Sequence, residues 1–395
     1  MASNDSRPPV SANPLADEAV YRAALSACAN WLKAGDAARA VEALQDTMSR
    51  LEREAQRGPL RARQVLVVGG AGYVGAVMVR ELLKQGYGVR VLDNFLYANS
   101  LSVEGLFDEP GFSFVFGDMR DQAVLDRALD GVTDVVLLAS LVGDPISKKY
   151  PELTRSVNGG GSEALFEAMK GRSIHKFVFT STCSNYGMRT SDDPATEEAE
   201  LKPLSIYAET KVAFEKYILA HADKADFIPT ILRISTAFGL SPRMRFDLTV
   251  NEFTAALARG EALDVYDKDT WRPYCHVRDI AGAVIRVLDA DETKVRGEVF
   301  NVGSDENNYT KAMIIEEILK HIDGKVNFVE HGSDPRNYRV SFRKIREVLD
   351  FVPQHSVAGF VPELIGAVHA GFYQRQNAIQ GYYGNYEVRP EAAAA

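Results

Sequence analysis

The chain has 395 residues, enough for two or three domains sharing a sizeable core, so a small disulfide-stapled module is excluded. Hydrophobic residues make up 46% and charged residues 25%, the balance of a globular protein rather than of a disordered chain. An excess of 54 acidic over 45 basic residues gives a formal charge of -9, the wrong sign for a phosphate-backbone binder, and argues against nucleic acid as a partner.

Residues 1–14 are polar and proline-bearing, with no basic stretch leading into an apolar run. They are expected to form a disordered tail without an export signal. No run in the chain nears the roughly 20 apolar residues of a membrane span, so no membrane partner is expected. Cys28, Cys183 and Cys275 lie far apart without a CxxC pair, which suits a reducing cytoplasm and provides no metal site. Residues 15–60 read as a helical hairpin extension, Ala19 to Lys33 and Ala37 to Arg53, broken at Gly35-Asp36 where Gly ends one helix and Asp caps the next. Its apolar face is expected to pack on the main domain or on a second subunit; a dedicated recognition module is the other reading.

From Gln64 short apolar runs alternate with helix-length segments. The runs predict strands at Gln64 to Val68, Val89 to Leu92, Phe112 to Phe116, Asp134 to Leu138, Lys176 to Thr180, Thr230 to Ile234 and Val299 to Val302. Helices are predicted at Tyr73 to Gln85, Gly161 to Met169, Glu209 to His221 and Arg278 to Leu288, with Leu248 to Arg259 and Thr310 to Ile322 in a smaller lobe. The fold class is therefore α/β: a doubly wound parallel sheet of Rossmann type, a smaller C-terminal substrate lobe and the N-terminal hairpin. The expected boundaries are 61–240 for the nucleotide domain, with a return segment at 272–303, and 241–271 with 304–376 for the lobe. Residues 377–395, rich in Gly and Tyr and then Ala, are expected to be an irregular, loosely held tail.

Two constellations carry chemistry. Gly69, Gly72 and Gly75 stand as GxxGxxG directly after the first strand and at the mouth of a helix, with Tyr73 and Val74 between the last two. Glycine permits the tight turn, and the helix N-terminus offers free amides and partial positive charge to a pyrophosphate. Asp93, with Asn94, closes the second strand about twenty residues on, where a carboxylate accepts from both ribose hydroxyls and repels a 2'-phosphate, so NAD is favoured over NADP. Asp118, with Met119, closes the third strand and either faces the adenine or serves a turn. The second constellation is Tyr207 and Lys211, the one Tyr followed four residues later by Lys, a spacing that puts both on one helical face. A free tyrosine is only about 0.1% phenolate at neutral pH; a nearby ammonium and a nicotinamide cation are expected to lower its pKa.

In this order the motifs resemble the extended short-chain dehydrogenase/reductases that act on nucleotide sugars, the NAD-dependent epimerase/dehydratase group, over roughly Arg63 to Leu364. The resemblance implies NAD held by the glycine loop, Asp93, Asn94, Asp118 and Met119, by Leu138, Ala139 and Ser140 after the fourth strand, by Asn158, and by Tyr207 and Lys211. It implies that Tyr207 removes a proton from a sugar hydroxyl, that Thr182 holds that oxygen, and that Lys211 binds the nicotinamide ribose and tunes Tyr207. Arg272 matches an arginine that grips the diphosphate of a nucleotide-diphosphate sugar. Val142, Thr182, Cys183, Ser184, Thr236, Arg243, Arg245, Asn251 and Arg336 complete the expected substrate site, and a homodimer in the cytoplasm is implied.

Departures narrow the reaction. Where 4,6-dehydratases of this family carry Asp-Glu after the catalytic Thr, this chain has Cys183 and Ser184, which cannot do a carboxylate's work. Cys183 is expected to pack. Thr236 replaces a usual Asn, and His331 stands where a second diphosphate arginine is common, with Arg336 able to compensate. The segments from Ala139 to Pro145 and Ser241 to Asn251 are most similar to a branch containing GDP-heptose 4-dehydrogenases. Arg243 and Arg245 either touch substrate or pair with Asp247. The oxidation at C4 that the resemblance implies is narrowed to two outcomes, epimerisation or net 4-dehydrogenation, and a non-catalytic NAD-binding scaffold acting through the hairpin is the rival from another class.

Overall fold

The second strand begins at a glycine and the third ends beside one, and between such turns the apolar runs pair in a single sheet. The structure, a computed structural model, describes residues 33, 37–41, 63–189, 193–329, 336–373 and 383–388. By contacts the chain divides into two units, Met1–Ala62 with Lys84–Tyr87, and Arg63–Leu83 with Gly88–Ala395. Of the expected hairpin only Lys33 and residues 37–41 are described, and they are helical; the rest of it, the tail 1–14, Cys28 and His331 lie outside the described residues.

In the second unit the chain runs β1 (Gln64–Val68), α1 (Tyr73–Lys84), β2 (Gly88–Asp93), β3 (Phe112–Phe116), α2 (Gln122–Leu129), β4 (Asp134–Leu137), α3 (Ser162–Met169), β5 (Lys176–Thr182), α4 (Ile206–His221) and β6 (Ile228–Ile234). It continues through β7 (Thr236–Phe238), α5 (Thr249–Ala258), β8 (Leu263–Tyr266), β9 (Trp271–His276), α6 (Val277–Asp289), β10 (Glu298–Val302) and β11 (Asn308–Thr310). It closes with α7 (Lys311–Leu319), β12 (Val326–Val329), α8 (Arg343–Leu349) and α9 (Val357–His369). All seven strands read from the sequence join one sheet in the order β10-β6-β5-β4-β1-β2-β3. Every pairing in it is parallel, as in β1 with β4, where Val65 meets Asp134.

A parallel sheet covered on both faces demands strands apolar on both sides. β5 is buried over all seven residues of KFVFTST, and Phe177, Val178 and Phe179 give it apolar side chains on both faces. One core cluster gathers Phe166 of α3, Phe177 and Phe179 of β5, Phe214 of α4 and Phe227. Phe166 meets Phe227 edge to face at 4.9 Å, and Phe179 meets Phe214 at 4.8 Å. A second cluster, with Phe238, Met244, Phe253, Ile315 and Phe360, knits α5, α7 and α9 to the small sheet β11-β9-β7. Strand order reverses between β4 and β2 across β1, and a crevice at such a point, outside the carboxyl ends of the strands, is where open α/β sheets bind ligands.

Candidate active site

The crevice is a cavity of about 500 Å³, lined by the carboxyl ends of the strands: Val68, Leu92, Gly117, Leu138, Thr182 and Ile234. Gly69, Gly72, Tyr73, Val74 and Gly75 line it at the head of α1. Gly69 has φ +85°, and a Cβ there would lie 2.6 Å from the Ala139 backbone nitrogen, so only glycine lets the first turn close against the loop after β4. Gly72 meets nothing closer than 3.3 Å and faces the open cavity, as a pyrophosphate cradle requires.

Asp93 and Asn94 border the cavity. The Asp93 carboxylate accepts from Ala71 N (3.1 Å) and Phe95 N (2.8 Å), which tie it to the glycine loop, while burial raises its pKa against those bonds. Asp118 and Met119 also line the wall. Burial works to raise the Asp118 pKa, but Arg120, bonded to both carboxylate oxygens at 2.9 and 2.8 Å, and Asn94 hold it below the usual range. Arg120 was not singled out in the sequence, since a lone Arg after a turn Asp has no distinctive spacing. The residues present fit a dinucleotide: a glycine turn open to the cavity, a helix head and an acid at the second strand end.

Ala139, Ser140 and Val142 line the cavity too. Asn158, expected at the cofactor, lies one layer behind them in a π-helical turn, Arg155–Gly161. Its amide accepts from Leu141 N (2.8 Å) and donates to Leu141 O (3.2 Å) and Thr210 Oγ1 (3.3 Å), so it shapes the loop rather than lining the cavity.

Ser205 caps α4 by accepting from Ala208 N at 3.3 Å, which sets the first turn and places Tyr207 and Lys211 on the inner face. Both line the cavity, as do Thr182 and Ser184. Lys211 Nζ donates to Thr180 O at 2.9 Å and lies 4.7 Å from the Phe179 ring centre and 5.9 Å from that of Tyr207. Burial drives Lys211 down to about 7, against Glu215, which pulls it up. In the chain alone burial pushes Tyr207 up to about 12, a hydrogen bond with Thr182 and the charge of Arg245 pulling the other way, so the lowering expected of it falls to the nicotinamide cation. The physical reason is that Tyr207 is itself fully enclosed, which penalises the phenolate, and that burial brings the neighbouring Lys211 ammonium down to about 7, which weakens the cation beside it.

Cys183 lies outside the cavity lining. Its Sγ donates to Arg233 O at 3.2 Å, and burial pushes the thiol up to about 12, so it is a packed neutral side chain. Thr236, Arg243, Arg245, Arg272 and Arg336 do line the cavity. Arg245 pairs with Asp247 through both nitrogens, at 3.0 and 2.6 Å, and Arg243 stacks 5.2 Å over Tyr97. The Arg272 guanidinium lies 5.2 Å over Tyr338 and donates to Trp271 O and Arg336 O, while Arg336 sits 3.4 Å from Asp144. Asn251 does not border the cavity; it accepts from Gly239 N and donates to the Tyr73 hydroxyl (3.0 Å) and Arg245 O (2.9 Å), fixing two residues that do.

Tyr97, Tyr338 and, from the chain end, Asn385 and Tyr386 complete the lining, none of them singled out as site residues by the sequence. The tail expected to be loosely held is, over its described residues 383–388, bonded into the lobe: Phe246 N donates to Tyr383 O at 2.8 Å, and Arg243 to Gly384 O at 3.0 Å. Among the described residues no His/Cys/Asp/Glu group could hold a metal, and no helix is long and apolar enough to cross a membrane.

Against known proteins, residues 65–303 match the model of the NAD dependent epimerase/dehydratase family. The chain is 31% identical over 313 residues to a UDP-glucose 4-epimerase of Lactobacillus helveticus, covering 74% of this chain and 92% of that relative. Among solved structures, UDP-glucose 4-epimerase of Thermus thermophilus in complex with NAD is 25% identical with a TM-score of 0.67, covering 77% of this chain and 99% of that one. The Thermotoga maritima UDP-glucose 4-epimerase with UDP-glucose is likewise 25% identical, with a TM-score of 0.69 over 78% of this chain and 99% of that one. The glycine turn, the acid at the second strand end and the match across more than half the chain lead to one conclusion: the chain belongs to the NAD dependent epimerase/dehydratase family, and its cofactor is NAD.

Proposed function

We propose that this chain oxidises a hydroxyl of a nucleotide-linked sugar at C4 and reduces the resulting ketone from the opposite face, a 4-epimerisation. The observation that carries the reading is that Thr182, Tyr207 and Lys211 border the same cavity as the glycine loop. NAD, when bound, supplies the two-electron acceptor and donor. Tyr207, as phenolate, takes the hydroxyl proton and returns it on reduction, and the Thr182 hydroxyl holds the reacting oxygen. Lys211 offers its cationic ammonium to the cofactor ribose and, once charged, to the phenolate. Because Tyr207 is buried and protonated in the NAD-free chain, its activation falls to positive charge arriving with the ligands.

Ser184 and the enclosed Cys183 in place of a carboxylate pair support oxidation and return over dehydration, since neither residue following Thr182 is an acid that could expel a leaving hydroxyl. Arg272 and Arg336 are assigned to the diphosphate, and the segments 241–271 and 304–376 to the sugar lobe. A homodimer in the cytoplasm is part of the same reading; the free thiols Cys183 and Cys275 suit a reducing compartment, and sedimentation would test the dimer.

The test is a panel of UDP-, dTDP- and GDP-sugars incubated with the NAD-loaded chain, followed both by product analysis and by absorbance in the reduced-nicotinamide band. A new C4 epimer without net absorbance gain is expected. Stoichiometric accumulation of reduced cofactor would instead establish net 4-dehydrogenation, and no change in any sugar would refute catalysis at this site.

A further inference from the structure

The C-terminal segment, like Lys311, Arg336 and Tyr338, belongs to the part of the cavity wall beyond the family match, which ends at residue 303. It is pinned at several points. Tyr383 O accepts from Phe246 N, its ring packs 5.9 Å from both Phe246 and Tyr373, and Gly384 O accepts from the guanidinium of Arg243. Asn385 N donates to Asp247 Oδ2 at 3.3 Å, the same carboxylate that holds Arg245, and Glu387 takes bonds from Lys149 and from Tyr150 Oη, the latter at 2.8 Å. These contacts fix the backbone on both sides of one side chain, that of Asn385.

Asn385 is 8% exposed and lines the cavity. Its Nδ2 donates to Val142 O at 3.5 Å, which sets the orientation of the amide. Its Oδ1 is buried and has no hydrogen-bond partner in the protein. A buried carbonyl left unmet is costly, and native structures keep such atoms mainly where a water or ligand completes them. Tyr97 Oη and Asp144 Oδ1, buried atoms of two further residues that border the cavity, are in the same condition. The two carbonyl-type oxygens, Asn385 Oδ1 and, with Asp144 ionised, Asp144 Oδ1, can only accept, so they suit a ligand with O–H donors such as the hydroxyls of a sugar ring.

We infer that Asn385 is a specificity-determining residue, its Oδ1 accepting a hydrogen bond from one ring hydroxyl of the sugar, and that the segment Tyr383–Val388 exists as a strap to carry it. The inference rests on the reading of this cavity as a nucleotide-sugar site. A site built to accept from a hydroxyl rejects the analogue lacking it far more strongly than an apolar pocket does, because its own acceptor is then left unpaired.

The experiment uses the full chain loaded with NAD. The sugar nucleotide it turns over best, from UDP-glucose, UDP-glucuronic acid, dTDP-glucose and GDP-mannose, is compared with its deoxy analogues, each lacking one ring hydroxyl, in the parent and in Asn385→Leu. With the complete sugar the variant is expected to lose about tenfold or more in kcat/KM. With one particular deoxy analogue, parent and variant should converge, while NAD affinity stays equal throughout. Equal kcat/KM of parent and variant on every sugar would overturn the inference and leave the catalytic reading standing. A parent chain that neither binds nor converts any of the four would overturn the reading and the inference together. If Asn385→Leu does not melt cooperatively, Asn385→Ala gives the same comparison.

Discussion

Tyr207 and Lys211 were legible because a spacing of four on a helix is a local property, and the glycine loop because its glycines sit between a strand and a helix. Their ionisation was not legible, because it depends on what closes over them. Burial places Lys211 at about 7 in the folded chain against 10.5 for an ordinary lysine. Between those values the unfolded chain holds a proton that the folded chain has released, so stability must rise with pH from about 7 toward 10.5. Tyr207, raised to about 12, acts in the opposite sense only above its ordinary value of 10.0, where the folded chain keeps a proton that the unfolded chain loses. Urea unfolding of the NAD-free protein at a series of pH values should show the rise between pH 7 and 9.0, above which the buried Cys183 thiol, held up at about 12, acts in the opposite sense, and Lys211→Met should flatten it. An unchanged slope in that variant would mean that Lys211 is solvated in the folded state.

At the scale of elements, the stripe that begins with Tyr207 and Lys211 continues one turn further to Glu215, a residue that the same periodicity argument reaches but that has no partner visible in sequence. In the fold Glu215 pairs with Arg233 of β6 at 2.8 Å, both nearly fully buried, and also takes bonds from Ser181 and from Asn185 at 2.9 Å. The pair locks α4 onto β5 and β6 and so fixes the depth of the two cavity residues. Glu215→Ala leaves the Arg233 charge buried without its carboxylate and should cost about 3–5 kcal/mol in denaturant unfolding. A loss under about 1 kcal/mol would show that solvent or a neighbour replaces the carboxylate. Helix α9 shows the converse limit of sequence reading. Gly359, Pro362 and Gly366 argue against a helix by propensity, yet Phe360, Val361, Leu364 and Ile365 bury one face and packing decides the outcome. The small sheets were missed for a related reason: β7 and β11 are three residues each and owe their pairing to β9 rather than to any pattern of their own.

For the molecule as a whole, the sheet order follows from seven apolar runs alternating with helices, and the topological switch then dictates where a ligand can sit. What local pattern could not supply was closure of the cavity from far along the chain, as with Tyr338 and Asn385, since a Gly- and Tyr-rich segment has no period to read. The assembled site predicts linkage: NAD at 100 times its dissociation constant should stabilise the chain by about 2.7 kcal/mol, visible as a rise in melting temperature, and NADP should do so far less because Asp93 meets the 2'-phosphate. Equal shifts with both would contradict the placement of Asp93 at the ribose.

The most direct test of the central claim compares sugar-nucleotide turnover by the parent chain and by Tyr207→Phe, both saturated with NAD. Removal of the phenolic oxygen should lower kcat by about 100- to 10,000-fold while NAD affinity and melting temperature stay as they were. Turnover by the phenylalanine chain within a factor of about two of the parent would contradict Tyr207 as the proton acceptor, and with it the account of the site.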